Sequence, residues 1–540
     1  MPALADLVVR RLMDAGVRTL FGVPGGGSSL DLIEAAGRAG LPFVLTATET
    51  GAAIAALAQA EITGRPGACL TALGPGASSV VNGVACASLE RAPIVVFTDS
   101  HPVAAQGEFA HQRLAMKALF HPVAKCSYRL EAGTALTAVD QALRSAMTGR
   151  PGPVHVEWPV DVTAIPDPVD TATKVDAATA VDVATTVDAE AFSKLERLID
   201  GARKPLVIAG LAARRPEDGI AIRSFCVRHG IPAMVTYKAK GVVPDDHPVF
   251  AGVFTNAAIE QPLLAESDLL LGLGLDPVEL LPRPWSARAP VVYAGPWPVA
   301  DDHVPFAVQH IAGVARAVAG MDAIVTGRAN WDLSNVAGQV AEQRCRVSVQ
   351  APGLTAQRVV QIAAARLGNV SRVTVDAGAH MLPATMLWPI REPNGMLISN
   401  GLSTMGFALP AAIGAALLAR DRPVAALIGD GGLLMCMGEL VTAVREQLRI
   451  IVIVVDDGSL SLIEIKQQAR RFKPAGVALP PIDWPALAGS LGVAPFLARD
   501  EAELERALAG AVECSGPSLI DARIDRSNYS ETLRVIRATI

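Results

Sequence analysis

The chain has 540 residues, of which 51% are hydrophobic, 19% charged and 4% aromatic, and its 47 Lys and Arg against 53 Asp and Glu give a net charge of −6. At about 150 residues per domain this length allows roughly three to four domains, the apolar share excludes a largely disordered chain, and the mild acidity leaves no electrostatic footprint for nucleic acid or an anionic membrane. A small-molecule partner is expected.

The opening stretch, MPALADLVVRRLMDAG, sets Asp6, Arg10 and Arg11 in an amphipathic pattern and reads as a first helix rather than a signal peptide. Helical stretches then alternate with the short apolar runs TLFGVPG, PFVLTA, ACLTAL and PIVVFTD, the pattern of strands buried on both faces of a parallel sheet. A first α/β domain is expected over 1–164. Val-Asp and Ala-Thr pairs recur without period over 165–191 and read as a linker. The runs PLVIAG, IPAMVTY, DLLLGLGL and PVVYAG suggest a central α/β domain over 192–320, and 321–350 reads as a second linker. RVTVDAG, PVAALIGD, IIVIVVDD and PSLIDARI predict a third α/β domain over 351–540. The longest apolar stretch, 405–419, contains Pro410 and is too short to span a bilayer. Seven scattered cysteines, with no C-x-x-C pair, point to a reduced, cytoplasmic protein.

Chemistry-bearing residues collect where strands end. PVAALIG runs into Gly429, Asp430, Gly431 and Gly432, and IIVIVV runs into Asp456, Asp457, Gly458 and Ser459. A strand, a crossover helix and a second strand fit between Asp430 and Asp457, setting two carboxylates side by side at the carboxyl edge of a sheet. Two such carboxylates with a loop carbonyl, completed by phosphate oxygens, suit octahedral Mg²⁺, and the glycines admit a phosphate to the backbone. Near the other end, Glu49 stands at a strand end before an Ala-rich helix, followed by the glycine turn GPGASS at 74–79. Alone, Glu49 is better explained as a helix-terminus charge.

These stretches carry a resemblance. FGVPGGG at 21–27, ETGAA at 49–53, TGRPGACLTALGPGASS at 63–79, GRPGPVHVEWPVDV at 149–162, SNGLSTMGFALPAAIGAAL at 399–417 and the GDGG and DDGS pair together resemble the thiamine diphosphate enzymes of the acetolactate synthase group, over nearly the whole chain. The resemblance implies three doubly wound parallel-sheet α/β domains, which bind the aminopyrimidine, form a central unit, and bind diphosphate and Mg²⁺. It assigns Glu49 as the carboxyl group that hydrogen-bonds the pyrimidine nitrogen and favours the imino tautomer, with its pKa raised by burial. It further assigns Met405 as the wedge between the cofactor rings, Ser403 as the place of a carbonyl that receives the cofactor amino group, and His380 as a residue near the diphosphate. By the same resemblance Gln112 is expected to face the reacting carbon, Gly26 to be a close-approach glycine, and Asp430, Asp457 and Ser459 to ligate Mg²⁺.

Several positions depart from the family. Asp457 replaces the usual Asn, Ser403 a frequent Gly, and Thr48 and Thr50 the frequent His and Gln beside the glutamate. Lys466 and Val278 stand where biosynthetic acetolactate synthases carry Trp and Arg, so Lys466 could attract an anionic substrate. No adjacent His-His pair occurs, which favours a carboligase or lyase over an aldehyde-releasing decarboxylase and leaves His111 and His121 as candidate proton donors. FAD is left open but not expected. The expected reaction is decarboxylation of a 2-oxo acid with transfer of the acyl carbanion to a second carbonyl, in a homodimer or homotetramer with sites at the subunit interface. The alternatives are a 2-oxo acid decarboxylase, a 2-hydroxy ketone or 2-hydroxyacyl-CoA lyase, and a non-catalytic cofactor-binding scaffold. A nucleotide-binding oxidoreductase is weaker, since Gly272 and Gly274 lack the third glycine of a dinucleotide fingerprint.

Overall fold

Short Val, Ile and Leu runs flanked by helices form three parallel six-stranded sheets. The computed structural model describes residues 3–103, 110–162, 189–368 and 370–538. In the first sheet the strands lie in the order Phe43–Leu45, Leu20–Val23, Gly67–Thr71, Ile94–Ser100, Val154–Pro159, Ser127–Arg129, or 2-1-3-4-6-5 by position in the domain. The third sheet repeats that order with Met396–Ile398, Arg372–Val375, Val424–Gly429, Ile450–Asp456, Ser518–Arg523 and Ala494–Ala498. The central sheet runs Phe306–Ile311, Val291–Gly295, Leu269–Leu273, Pro205–Ala209, Ala233–Val235, Phe250–Val253, read from its other edge as 3-2-1-4-5-6, the dinucleotide-binding order.

The Ala-rich helix Glu49–Thr63 is buried from Gly51 to Glu61 because it lies between its own sheet and the helix Ala408–Leu418 of the third domain. Small residues let the backbones approach: a Cβ on Gly414 would stand 2.4 Å from the Ala55 carbonyl oxygen. One hydrophobic core accordingly runs from Phe21 and Val96 to Ile428 and Val452 without a break between first and third domains.

All three domains meet at Lys238, which is 1% exposed. Its Nζ lies 2.6 Å from Glu61 Oε1 and 3.0 Å from Glu90 Oε2 of the first domain, and donates to the Ile398 carbonyl of the third at 3.0 Å. Arg214 pairs with Glu61 at 3.0 Å, so two cations face two acids. Burial disfavours the Lys238 charge, but Glu61 and Glu90 outweigh it and hold the proton. Glu90 also accepts the Gly401 N–H at 2.8 Å, at the start of the turn that carries Ser403 and Met405.

The expected linker 321–350 needs correction, because most of it is helical. The helix Val314–Ile324 runs into it, and Leu333–Val347 fills its second half, started by Asp332 accepting from the Ser334 and Asn335 N–H groups. Val336, Val340 and Val347 supply a buried stripe at helical spacing that intervening polar residues disguise. Of the expected linker 165–191, residues 165–188 lie outside the described residues, and the helix Ala189–Gly201 begins in its last three. No helix among the described residues is long and apolar enough to cross a membrane.

Candidate active site

In the first domain, Thr48 caps the helix Glu49–Thr63 by accepting the Gly51 N–H, which leaves Glu49 as its first residue. Sequence reasoning missed what holds this turn. Glu439, buried at the start of the third-domain helix Glu439–Arg445, accepts the N–H groups of Ala47 and Thr48, each at 3.1 Å. A Cβ on Gly51 would come 2.1 Å from Glu439 Oε1, so a larger residue would displace that carboxylate. Glu49 is half-buried, with Gly76 of the GPGASS turn against it, a Cβ there lying 3.2 Å from Glu49 Oε1. In the glycine loop, Gly25 is the crowded position: its Cβ would stand 2.4 Å from Asp99 Oδ2, whereas one on Gly26 would meet nothing within 4 Å. Gln112 is exposed and holds a left-handed φ of +55°, its backbone packed on Gly74.

In the third domain, the register pairs Gly429 with Val455, so the two strands deliver Asp430 and Asp457 to one edge. Asp430 accepts the Gly431 N–H at 2.8 Å and the Gly458 N–H at 2.9 Å, and Asp457 accepts the Ser459 N–H at 2.9 Å. Burial and the neighbouring Asp457 push the Asp430 carboxyl up to about 7, and burial pushes Asp457 up to about 6. Such a pair gains most from a cation, and with the Ser459 carbonyl it makes a hard-oxygen donor set. Ser459 itself is buried and its hydroxyl donates to Glu464 at 2.8 Å. Among the described residues no group of three or more His, Cys, Asp or Glu surrounds a single point, so further ligands would come from phosphate and water.

His380 is buried beside this edge with Nε2 unpartnered, and burial lowers its pKa to about 4. Cβ atoms on Gly378 and Gly429 would stand 2.7 and 3.1 Å from its ring, so both glycines make room for it. A buried orphan nitrogen beside a glycine-lined strand end fits an anionic group such as diphosphate. Asp376, also missed, accepts the Gly406 and Phe407 N–H groups at 3.0 and 2.9 Å and so fixes the loop of half-buried Met405, whose methyl group approaches Gly431. A Cβ on Gly432 would lie 2.0 Å from Asp376 Oδ2 and would displace that carboxylate from the loop it fixes. Ser403 is exposed at φ +54°, a conformation suited to the Gly that the family often carries there. Lys466 is exposed on the helix Ser461–Ala469.

The structure thus gathers Gly26, Glu49 and Gln112 at one sheet edge and His380, Ser403, Met405, Gly429–Gly432, Asp457 and Ser459 at another. No hydrogen bond or ion pair among the described residues joins Glu49 to the second group. At the central sheet, the crevice after the strand Pro205–Ala209 is filled from within: buried Glu279 accepts from the Leu211 N–H at 2.8 Å and from the Thr236 hydroxyl. Gly210 lies under it, a Cβ there falling 2.9 Å from Glu279 Oε2. A carboxylate in that place does not fit the pyrophosphate of a flavin nucleotide.

Residues 2–119 match the N-terminal TPP binding domain of thiamine pyrophosphate enzymes, 192–318 the central domain and 376–522 the C-terminal TPP binding domain. The chain is 30% identical to the catabolic acetolactate synthase of Raoultella terrigena over 538 residues, covering 96% of this chain and 95% of that protein. It is 29% identical to the acetolactate synthase isozyme 1 large subunit of Escherichia coli, covering 96% and 94%. To the probable 2-ketoarginine decarboxylase of Pseudomonas aeruginosa it is also 29% identical, covering 96% and 93%. With three domain matches in order and full-length relatives, the chain belongs to the thiamine diphosphate-dependent enzymes, in their acetolactate synthase-like group.

Proposed function

We propose that this enzyme decarboxylates a 2-oxo acid and transfers the acyl group to a second carbonyl compound, with thiamine diphosphate and Mg²⁺. The observation that carries the reading is the Asp430 and Asp457 pair beside the orphan Nε2 of His380. When bound, thiamine diphosphate supplies the carbon nucleophile and the electron sink for the leaving carboxylate. Asp430, Asp457 and the Ser459 carbonyl hold Mg²⁺, His380 and the backbone of Gly429–Gly432 receive the diphosphate, and Met405 and the Ser403 turn hold the rings. Glu49 would hydrogen-bond the pyrimidine nitrogen, Gln112 would face the reacting carbon, and Gly26 leaves open room at that edge.

The sites are proposed to form between two copies of the chain. Within one chain no hydrogen bond or ion pair among the described residues joins the Glu49 side chain to Asp430, Asp457 or His380, and Leu434, Met435, Met437 and Val441, next to the Asp430 turn, are 37 to 59% exposed. A homodimer, or a tetramer of two such pairs, would cover them. Placement in the cytoplasm is supported by cysteines that form no disulfide among the described residues. Simple decarboxylation is a second reading, favoured by the similarity to the probable 2-ketoarginine decarboxylase.

The test is CO₂ release and product identity across a panel of 2-oxo acids, with and without aldehyde acceptors. Release that needs both cofactors, yields 2-hydroxy ketones and falls by about 10² to 10⁴ in Glu49→Gln supports the reading. Aldehyde as the sole product favours the decarboxylase, and cofactor binding without turnover of any acid contradicts both.

A further inference from the structure

A cavity of about 820 Å³ opens in the first domain beyond the strands Ile94–Ser100, Ser127–Arg129 and Val154–Pro159. Gln112, Arg113, Lys117, Arg129 and Glu157 line it, which sets three cations against one acid. That acid is already engaged: Glu157 accepts the Ser100 hydroxyl at 2.6 Å and lies 3.6 Å from Arg129 Nη1. The side chains of Arg113 and Lys117 have no ion-pair partner among the described residues.

Two features tie the cavity to the chemistry. Leu73 lines it, and three residues on Gly76 lies against Glu49. Gln112 is held at φ +55°, with Gly74 pressed so close that a Cβ would stand 2.7 Å from the Gln112 carbonyl oxygen. His101 Nε2 lies 2.8 Å from the His111 carbonyl and ties the same turn to the end of the strand. These contacts fix the turn that carries Gln112 beside the cavity.

We infer that this cavity seats the substrate side chain and selects one bearing a second anionic group, carboxylate or phosphate, held by Arg113 and Lys117. The inference rests on the acyl-transfer reading and narrows its substrate class. Arg113 and Lys117 are both exposed at the cavity, where a neutral side chain gains nothing from them and an anion would receive charge-assisted hydrogen bonds from both.

The experiment measures kcat/KM for CO₂ release by the enzyme loaded with thiamine diphosphate and Mg²⁺, on 2-oxobutyrate, 2-oxoglutarate and 2-oxo-4-phosphonobutyrate. The anionic acids are expected to exceed 2-oxobutyrate by about tenfold or more, and the better of the two names the group. In R113Q/K117Q the ratio of anionic to neutral kcat/KM falls by about tenfold or more, while Arg506→Gln, an exposed cation on a distant helix, leaves the ratio unchanged. Equal kcat/KM values for all three acids, or a ratio unmoved in R113Q/K117Q, overturn the inference. If no acid releases CO₂, the acyl-transfer reading fails separately and calorimetric titration with glutarate decides the anion seat. Binding lost in R113Q/K117Q sustains it, and no binding to the unaltered protein overturns it.

Discussion

The first and third sheets share the strand order 2-1-3-4-6-5, and both end in acids, but the acids stand in opposite circumstances. In the first, Asp99 accepts four hydrogen bonds from residues 27–29 and locks the glycine loop, while Glu49 stands apart and half-buried. In the third, Asp376 likewise locks a loop, but Asp430 and Asp457 lie together and their carboxyls are driven up to about 7 and about 6. One topology therefore yields a lone, half-buried acid at one edge and a paired acid suited to holding a cation at the other. What separates them is how many acids the carboxyl edge carries and which of them the backbone already satisfies. The central sheet, with another order, places buried Glu279 in its crevice and offers neither.

Substitutions at the junction of these sheets give the largest effects. Glu49→Gln should cut turnover by about 10² to 10⁴ while thiamine diphosphate still binds, whereas Asp430→Asn should weaken cofactor binding itself, by about 100-fold or more in a calorimetric titration with Mg²⁺. Equal effects of the two on binding would erase the distinction between the edges. Lys238→Met leaves Glu61 and Glu90 buried against Arg214 alone, and should cost about 3 to 5 kcal/mol in urea unfolding.

A smaller effect tests the central sheet. Burial, partly offset by the Thr236 and Leu211 donors, raises the Glu279 carboxyl from its ordinary 4.5 to about 7. Between those values the native state binds a proton that the unfolded state has released, so stability falls as pH rises through the window and stays low above it. Glu279→Gln should remove that slope and gain at most about 3 kcal/mol above pH ~7, with little gain near pH ~4.5, read from thermal melts at several pH values. The smallest change is Ser403→Gly, which relieves φ +54° in the third-domain turn and should add about 1 kcal/mol or less.

The sequence made the sheets legible because most strands are compact apolar runs, with Ser127–Arg129 an exception, and it made the paired acids legible because GDGG and DDGS each end one. Asp376 and Glu439 escaped because their partners are remote: Glu439 reaches Ala47 across 392 positions, and no local spacing reports such a contact. Lys238 carries no sign in its neighbourhood that it is buried, since its counter-charges come from another domain. The helix Leu333–Val347 was hidden by polar residues between its buried valines. The crowding of Gly25 and the open space at Gly26 depend on where Asp99 and Ala72 lie in space, which motif comparison alone does not resolve.

The central claim is that a working site takes the lone acid from one chain and the paired acids from another. Mixing Glu49→Gln and Asp430→Asn chains, each inactive alone, and reassembling them tests it most directly. If the edges pair across chains, half the dimers are mixed and each holds one intact site, so activity should return to about a quarter of the unaltered enzyme's. If both edges of a site belong to one chain, every site keeps one lesion, and the mixture staying as inactive as its parts would contradict the account.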